Sequence, residues 1–307
     1  MAASMLAALA LLMVAAPRRD ATLAASTRPP LEWLVKSNDL SLLQHRAAAD
    51  GLTLPAFTWV GCGGKSDPDR CAAGQQPIFT SYWPLRSKAL TGWHGTAIFD
   101  IETWSDTPAA EREHPDRFIC RAAHLRRIDH HLNVIITPYA KPPARLIIRE
   151  DVAAAKCGGY AVDVQTQFLN GAPAKFGHFI RKAVRAIRRV NNTIIILAGL
   201  ATNNPEVQTA THLASDYHKA LAAGVDGFWL NARNWGQRNM CTTATDGPGC
   251  PQTGVRFLEN IGLAGRALSG ASGRRSDHVA SGRPSSASRG RVRRGSLPSP
   301  HVTVAQT

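Results

Sequence analysis

The chain has no apolar run long enough to cross a bilayer, no Gly-x-Gly-x-x-Gly after an apolar stretch, no Cys-x-x-Cys, and few acidic residues. Each absence excludes something. The run Met5 to Ala16 is apolar over twelve residues, short of the ~20 that a bilayer core requires, so no membrane span is expected. Without a glycine-rich strand-to-helix turn, no dinucleotide or nucleotide cofactor is expected. Gly61-Cys-Gly-Gly64 opens a Pro- and Asp-rich loop and reads as a turn. No Cys or His spacing suits a metal, and His94, His114, His124, His130 and His131 share no ligand geometry. The basic stretches lack the interleaved aromatics that stack bases, which argues against nucleic acid as partner.

Charge is unbalanced, with 36 Lys and Arg against 22 Asp and Glu, a net of +14. Residues 264–307 hold eight Arg and one Asp, about half of that excess. They carry almost no large apolar side chains and read as a disordered basic tail. Arg181, Arg185, Arg188 and Arg189 recur three or four apart on one helical face. Such a face is ordinarily a solvated one, and contact with an anionic polymer is the sharper alternative.

The run Met5–Ala16 is followed by small residues, and Thr22-Leu-Ala24 or Leu23-Ala-Ala25 suits a signal peptidase. Residues 1–25 are therefore read as a signal peptide and the protein as extracellular, although Arg18-Arg19 follow the run and an ordinary N-terminal helix is the alternative. Six cysteines fit an oxidising compartment. Proximity suggests Cys62 with Cys71 and Cys241 with Cys250, leaving Cys120 and Cys157 to pair or stay buried.

Residues 26–77 read as a lead-in with a disulfide-type loop, and Trp33, Leu34, Leu40, Leu42 and Leu43 could dock it on a core. Residues 78–263 repeat a short apolar run, a polar turn and an amphipathic stretch of helical length. The clear runs are Thr96–Glu102, Asn133–Tyr139, Ala161–Gln167, Thr193–Gly199 and Gly227–Asn231, with weaker ones at Ala56–Val60 and Pro77–Trp83. Helical periodicity covers Pro115–His131, Lys175–Val190 and Pro205–Ala223. Alternation of this kind implies parallel strands and right-handed crossovers. The α/β class follows, as a (β/α) barrel. Only seven strand candidates are visible, so the barrel is incomplete or one strand is hidden.

Side chains alternate along a strand, so each run separates a polar face from an apolar one. Ile98, Asp100 and Glu102 share a face, as do Asp163, Gln165 and Gln167, and as do Trp229 and Asn231. Tyr139, Asn203 and Asn204 follow two further runs. The polar sets gather at strand C-termini, where barrel enzymes place their sites. Two carboxyls at i and i+2 on one face raise one pKa, which a proton donor needs. Glu102 is assigned as general acid, Asp100 as its modulator, and Asp163 as the strand-borne candidate for a second carboxylate. Gln165, Gln167, Asn203, Asn231 and Tyr139 suit a hydroxyl-rich ligand, and Trp104 and Trp229 could stack on a sugar face. The same carboxyls could instead only brace the barrel mouth.

Asp-Ile-Glu-Thr-Trp104 after an apolar strand resembles the Asp-x-Glu strand end of family 18 chitinase-like barrels. The resemblance implies that Glu102 is the acid and that Asp100 assists a substrate N-acetyl group. That motif ends the fourth strand of the family's barrel, whereas few residues precede Asp100 here. Phe99–Glu111, Ile136–Tyr139, Gly199–Asn203 and Gly227–Asn231 are together similar to secreted barrel-like proteins of GC-rich bacteria, which implies fold and compartment over about residues 78–263. Three readings follow: a glycoside-hydrolase-like enzyme acting on a glycan or polysaccharide, a non-catalytic carbohydrate- or wall-binding barrel, and a polyanion binder using the basic tail. Glycosidic cleavage normally needs two carboxyls about 5–9.5 Å apart, which separates the first two.

Overall fold

The computed structural model describes residues 30–62, 71–101, 106–138, 144–166, 169, 173–202, 209–232 and 251–266. Eight parallel strands close into a barrel: β1 (Glu32–Lys36), β3 (Trp59–Cys62), β4 (Gln76–Phe79), β5 (Gly95–Asp100), β6 (Leu132–Thr137), β7 (Ala161–Val164), β8 (Ile195–Ala201) and β9 (Gly227–Asn231). A short antiparallel pair, β2 (Leu52–Thr53) with β10 (Gly265–Arg266), lies outside it. The helices are α1 (Ser37–Ala49), α2 (Tyr82–Leu90), α3 (Ala109–Glu113), α4 (Pro115–Ile128), α5 (Ala144–Lys156), α6 (Pro173–Val190), α7 (Ala210–Ala223) and α8 (Pro251–Asn260).

Alternation along each strand builds two cores. Leu34, Trp59, Ile78, Ile98, Ile135, Ala161, Leu197 and Trp229, one from each barrel strand, pack together as the interior. The opposite parity, including Phe99, Ile136, Val162, Ala198 and Phe228, packs with the helices. Strands buried on both faces must be apolar at nearly every position, as Ile195–Ala201 is. Helices supply one apolar face each: Phe118, Ile119, Ala122 and Leu125 of α4 are buried, while Arg126 and Arg127 end the helix in solvent. Thr209 caps α7 by accepting the His212 N–H at 3.2 Å, and Gly224 ends it at φ 91°, in the left-handed region open to glycine.

The strand hidden from the sequence reading is β1. It lies inside the supposed lead-in and pairs with β3 on one side and β9 on the other, so the barrel is complete. Closure is tight: a Cβ on Gly227 would sit 2.1 Å from the Glu32 carbonyl oxygen. Pro77–Trp83 divides, its first part in β4 and its end in α2. The helical stretch Pro115–His131 ends at Ile128, which leaves His130 and His131 beyond the helix. At the other end Ala264 is buried and Gly265 and Arg266 pair with β2, so the packed chain runs slightly past the expected boundary at 263.

Cys62 and Cys71 form the expected disulfide, and Cys120 on α4 pairs with Cys157 just beyond α5, which the spacing had left open. Cys241 and Cys250 lie outside the described residues. Among the described residues, no helix is long and apolar enough to cross a membrane.

Candidate functional site

In a barrel of parallel strands, every strand C-terminus opens on one face. Lys36 ends β1, Asp100 ends β5, Thr137 ends β6, Asp163 is the penultimate residue of β7, and Asn231 ends β9. Asp100 and Thr137 are register partners, and the Thr137 hydroxyl donates to Asp100 Oδ1 at 2.8 Å. Lys36 enters the same interior: its Nζ lies 3.8 Å from Asp100 Oδ2 and 5.3 Å from the centroid of the Trp229 ring. Beside it on β3 stands Gly61, which contributes no side chain.

Asp163 is fully buried, and neither carboxyl oxygen has a hydrogen-bond partner among the described residues. Burial holds its carboxyl well above the ordinary value, with the charge of Asp100 acting in the same direction and Lys36 opposing. Burial and like charge both favour the protonated form of Asp163 over the anion. The buried Trp229 indole Nε1 also lacks a hydrogen-bond partner among the described residues. Buried polar groups are nearly always satisfied, and the interior shares this departure with Asp151 of α5 and Asp216 of α7, whose buried carboxyl oxygens also lack hydrogen-bond partners among the described residues.

The rim is braced by backbone and hydroxyl contacts. The Thr166 hydroxyl donates to the Gly199 carbonyl, tying the exit of β7 to β8. The Asn231 carbonyl accepts the Thr202 N–H at 2.9 Å, tying β8 to β9. Buried Glu111 accepts from the Ser81 hydroxyl at 2.9 Å and the Tyr82 N–H at 2.8 Å, so α3 caps the start of α2. Burial pushes its carboxyl up, against the effect of those hydrogen bonds. Buried Asp39 in the first turn of α1 accepts the Ala232 N–H at 3.1 Å and holds the chain leaving β9.

Of the residues predicted from sequence, Asp100, Asp163 and Trp229 share the interior, as their strand parity implied. Gln165 is buried just beyond β7, and Asn231 is half-buried at the end of β9. The Trp229 ring carries the Lys36 ammonium on its face. Glu102, Trp104, Tyr139, Gln167 and Asn203 lie outside the described residues. Lys36 and Thr137 were missed. Trp33-Leu-Val-Lys36 has the signature of an apolar run ending in a charged residue, as Ala97-Ile-Phe-Asp100 does, but Pro29-Pro30 and its short length hid it. Among the described residues, no group of three or more His, Cys, Asp or Glu is placed to hold a metal ion.

No family model and no curated protein matches the sequence. Among solved structures, 2,3-dimethylmalate lyase, a PEP mutase/isocitrate lyase superfamily member, is similar at 15% identity and a TM-score of 0.39, over 53% of this chain and 57% of that one. A Burkholderia cenocepacia J2315 protein of proposed lyase/mutase class matches at 13% identity and a TM-score of 0.41, over 67% and 77%. QR15, an aldolase, matches at 12% and 0.29, over 45% and 66%. The chain thus spans a little over half the length of the first of these. Such likenesses say nothing of reaction or substrate. The resemblance to family 18 chitinase-like barrels finds no support among them.

Proposed function

We propose that this barrel is a hydrolase of glycosidic bonds, with its acid–base groups at the C-terminal ends of β5 and β7. The observation that carries the reading is the pair Asp100 and Asp163 in one interior under opposite regimes. Asp100 is ion-paired with Lys36 and accepts from Thr137, while Asp163 is buried without a partner among the described residues and its carboxyl is held above the ordinary value. Two carboxyls whose environments drive them apart are what acid–base division of labour requires. A second support is position. β5 is the fourth barrel strand in chain order, because β3 and β4 are joined with no helix among the described residues between them. The motif of chitinase-like barrels also ends the fourth strand, and this shared position supports the reading. Glu102 keeps its assignment as general acid, with Gln165 and Asn231 as ligands for sugar hydroxyls.

The experiment is a screen of wall polysaccharides and N-acetylated glycans in which binding is measured beside hydrolysis. Glu102→Gln keeps shape and hydrogen bonding but loses the ionisable proton, and should lower turnover about 10²–10⁴-fold with folding intact. One observation favours a second reading, a barrel that binds glycans without cleaving them: Asp163 has no surface open to solvent. Tight binding without turnover, unchanged by Glu102→Gln, would establish that second reading against the first.

The disulfides Cys62–Cys71 and Cys120–Cys157 support a working place outside the reducing cytoplasm. Recovery of active protein with all six thiols free would overturn it.

A further inference from the structure

Away from the mouth, α5 and α6 leave two adjoining hollows of about 450 and 460 Å³ that share Ile148, His178 and Lys182. Among the described residues their polar lining is entirely cationic or imidazole: Arg145, Lys175, His178, Lys182, Arg185 and Arg189. No acidic side chain among the described residues lines either hollow. The acids of the neighbouring turns are engaged or buried elsewhere, Asp116 with Arg149 at 3.1 Å and Glu150 and Asp151 in the core. The floor is apolar, formed by Ile148 and Phe179 with Leu169 at one end.

We infer that this groove binds an acidic polysaccharide as an extended single chain. A row of like charges around an apolar trough focuses a positive field that attracts an anionic partner. Lys175 and Arg189 lie fourteen residues apart on α6, about 21 Å at 1.5 Å per residue, enough for a short run of sugar units. A sugar chain has apolar ring faces for the floor and carboxylates on its edges for the Lys and Arg heads. Single-stranded nucleic acid fits less well, because it needs exposed aromatics to stack on and Phe179 is buried. The groove also points at the mouth, since α6 begins after the C-terminal end of β7, the strand that carries Asp163. The choice of a polysaccharide among polyanions rests on the glycan reading of that mouth, but the test reads binding alone and stands whether or not turnover is found.

The full chain is titrated with polygalacturonate, with dextran as the neutral comparator, and with oligo-dT and phosphatidylglycerol vesicles as other polyanionic surfaces. K182E/R185E is compared with R112E/R117E, which changes the charge equally on α3 and α4. The expected result is salt-sensitive binding of polygalacturonate over dextran, weakened at least ~10-fold by K182E/R185E and less than ~3-fold by R112E/R117E. Equal losses in the two variants would show diffuse electrostatics and overturn the site. So would binding that K182E/R185E leaves unchanged. Oligo-dT or vesicles held more tightly than polygalacturonate, and released by K182E/R185E, would overturn the polysaccharide assignment. Melting curves check that both variants fold, and K182Q/R185Q replaces the reversal if it does not.

Discussion

Asp163 is where the chemistry of the mouth can be read without a substrate. Its folded-state pKa lies above its unfolded value, because burial and the charge of Asp100 disfavour the anion. As pH rises past the unfolded value near 3.9, the unfolded chain releases the proton first and the native state loses stability relative to it. Asp163→Asn keeps the shape and removes that penalty. The variant should melt at or above the parent at pH 7, with the difference shrinking toward pH 4. If the mouth is catalytic, the same change should lower turnover at least ~100-fold. A variant melting far below the parent would show that the carboxyl has a partner it depends on.

At the scale of elements, α7 and the β9–β1 seam make the clearest cases. Asp216 is buried on α7, and burial raises its pKa to about 6 against the pull of Lys219 and His212. An acid raised on folding contributes most below its unfolded pKa and costs stability as pH rises through 6. Asp216→Asn should therefore flatten stability between pH 4 and 7 and add on the order of 1–3 kcal/mol at pH 7, measured by urea unfolding at both ends. The seam fails differently. Gly227→Ala places a methyl against the Glu32 carbonyl, where backbone and not a side-chain tip must yield. We expect a loss of roughly 3 kcal/mol, visible as a lower urea midpoint. An unchanged midpoint would mean that the two strands can part slightly without opening the barrel.

The barrel is held by its closed ladder and by a covalent link across its helical layer. Cys120–Cys157 joins α4 to the end of α5 across 37 residues. In the chain-entropy account a loop of that size is worth about 3–4 kcal/mol. C120S/C157S should lose about that much in denaturant unfolding, and the parent should lose at least as much when reduced, since reduction also opens Cys62–Cys71. Equal stability of parent and variant under oxidising conditions would show that the link adds nothing the packing does not already supply.

Parity along the strands and the apolar runs were enough to place Asp100, Asp163 and Trp229 on one interior, because a two-residue repeat survives any tertiary arrangement. The alternation of apolar runs with helical stretches also sufficed for a (β/α) barrel, and nearness in sequence for the Cys62–Cys71 link. The eighth strand was beyond that reach. Five residues, Glu32–Lys36, become a strand because β3 and β9 stand ready to pair on either side, and nothing inside the segment announces those neighbours. Lys36 followed the same logic, as did the pairing of Cys120 with Cys157. Its meeting with Asp100 depends on strands 64 residues apart in sequence lying across one interior. The raised carboxyl of Asp163 was decided there too, since burial and a neighbouring charge are properties of the assembled barrel and not of the residues that line it.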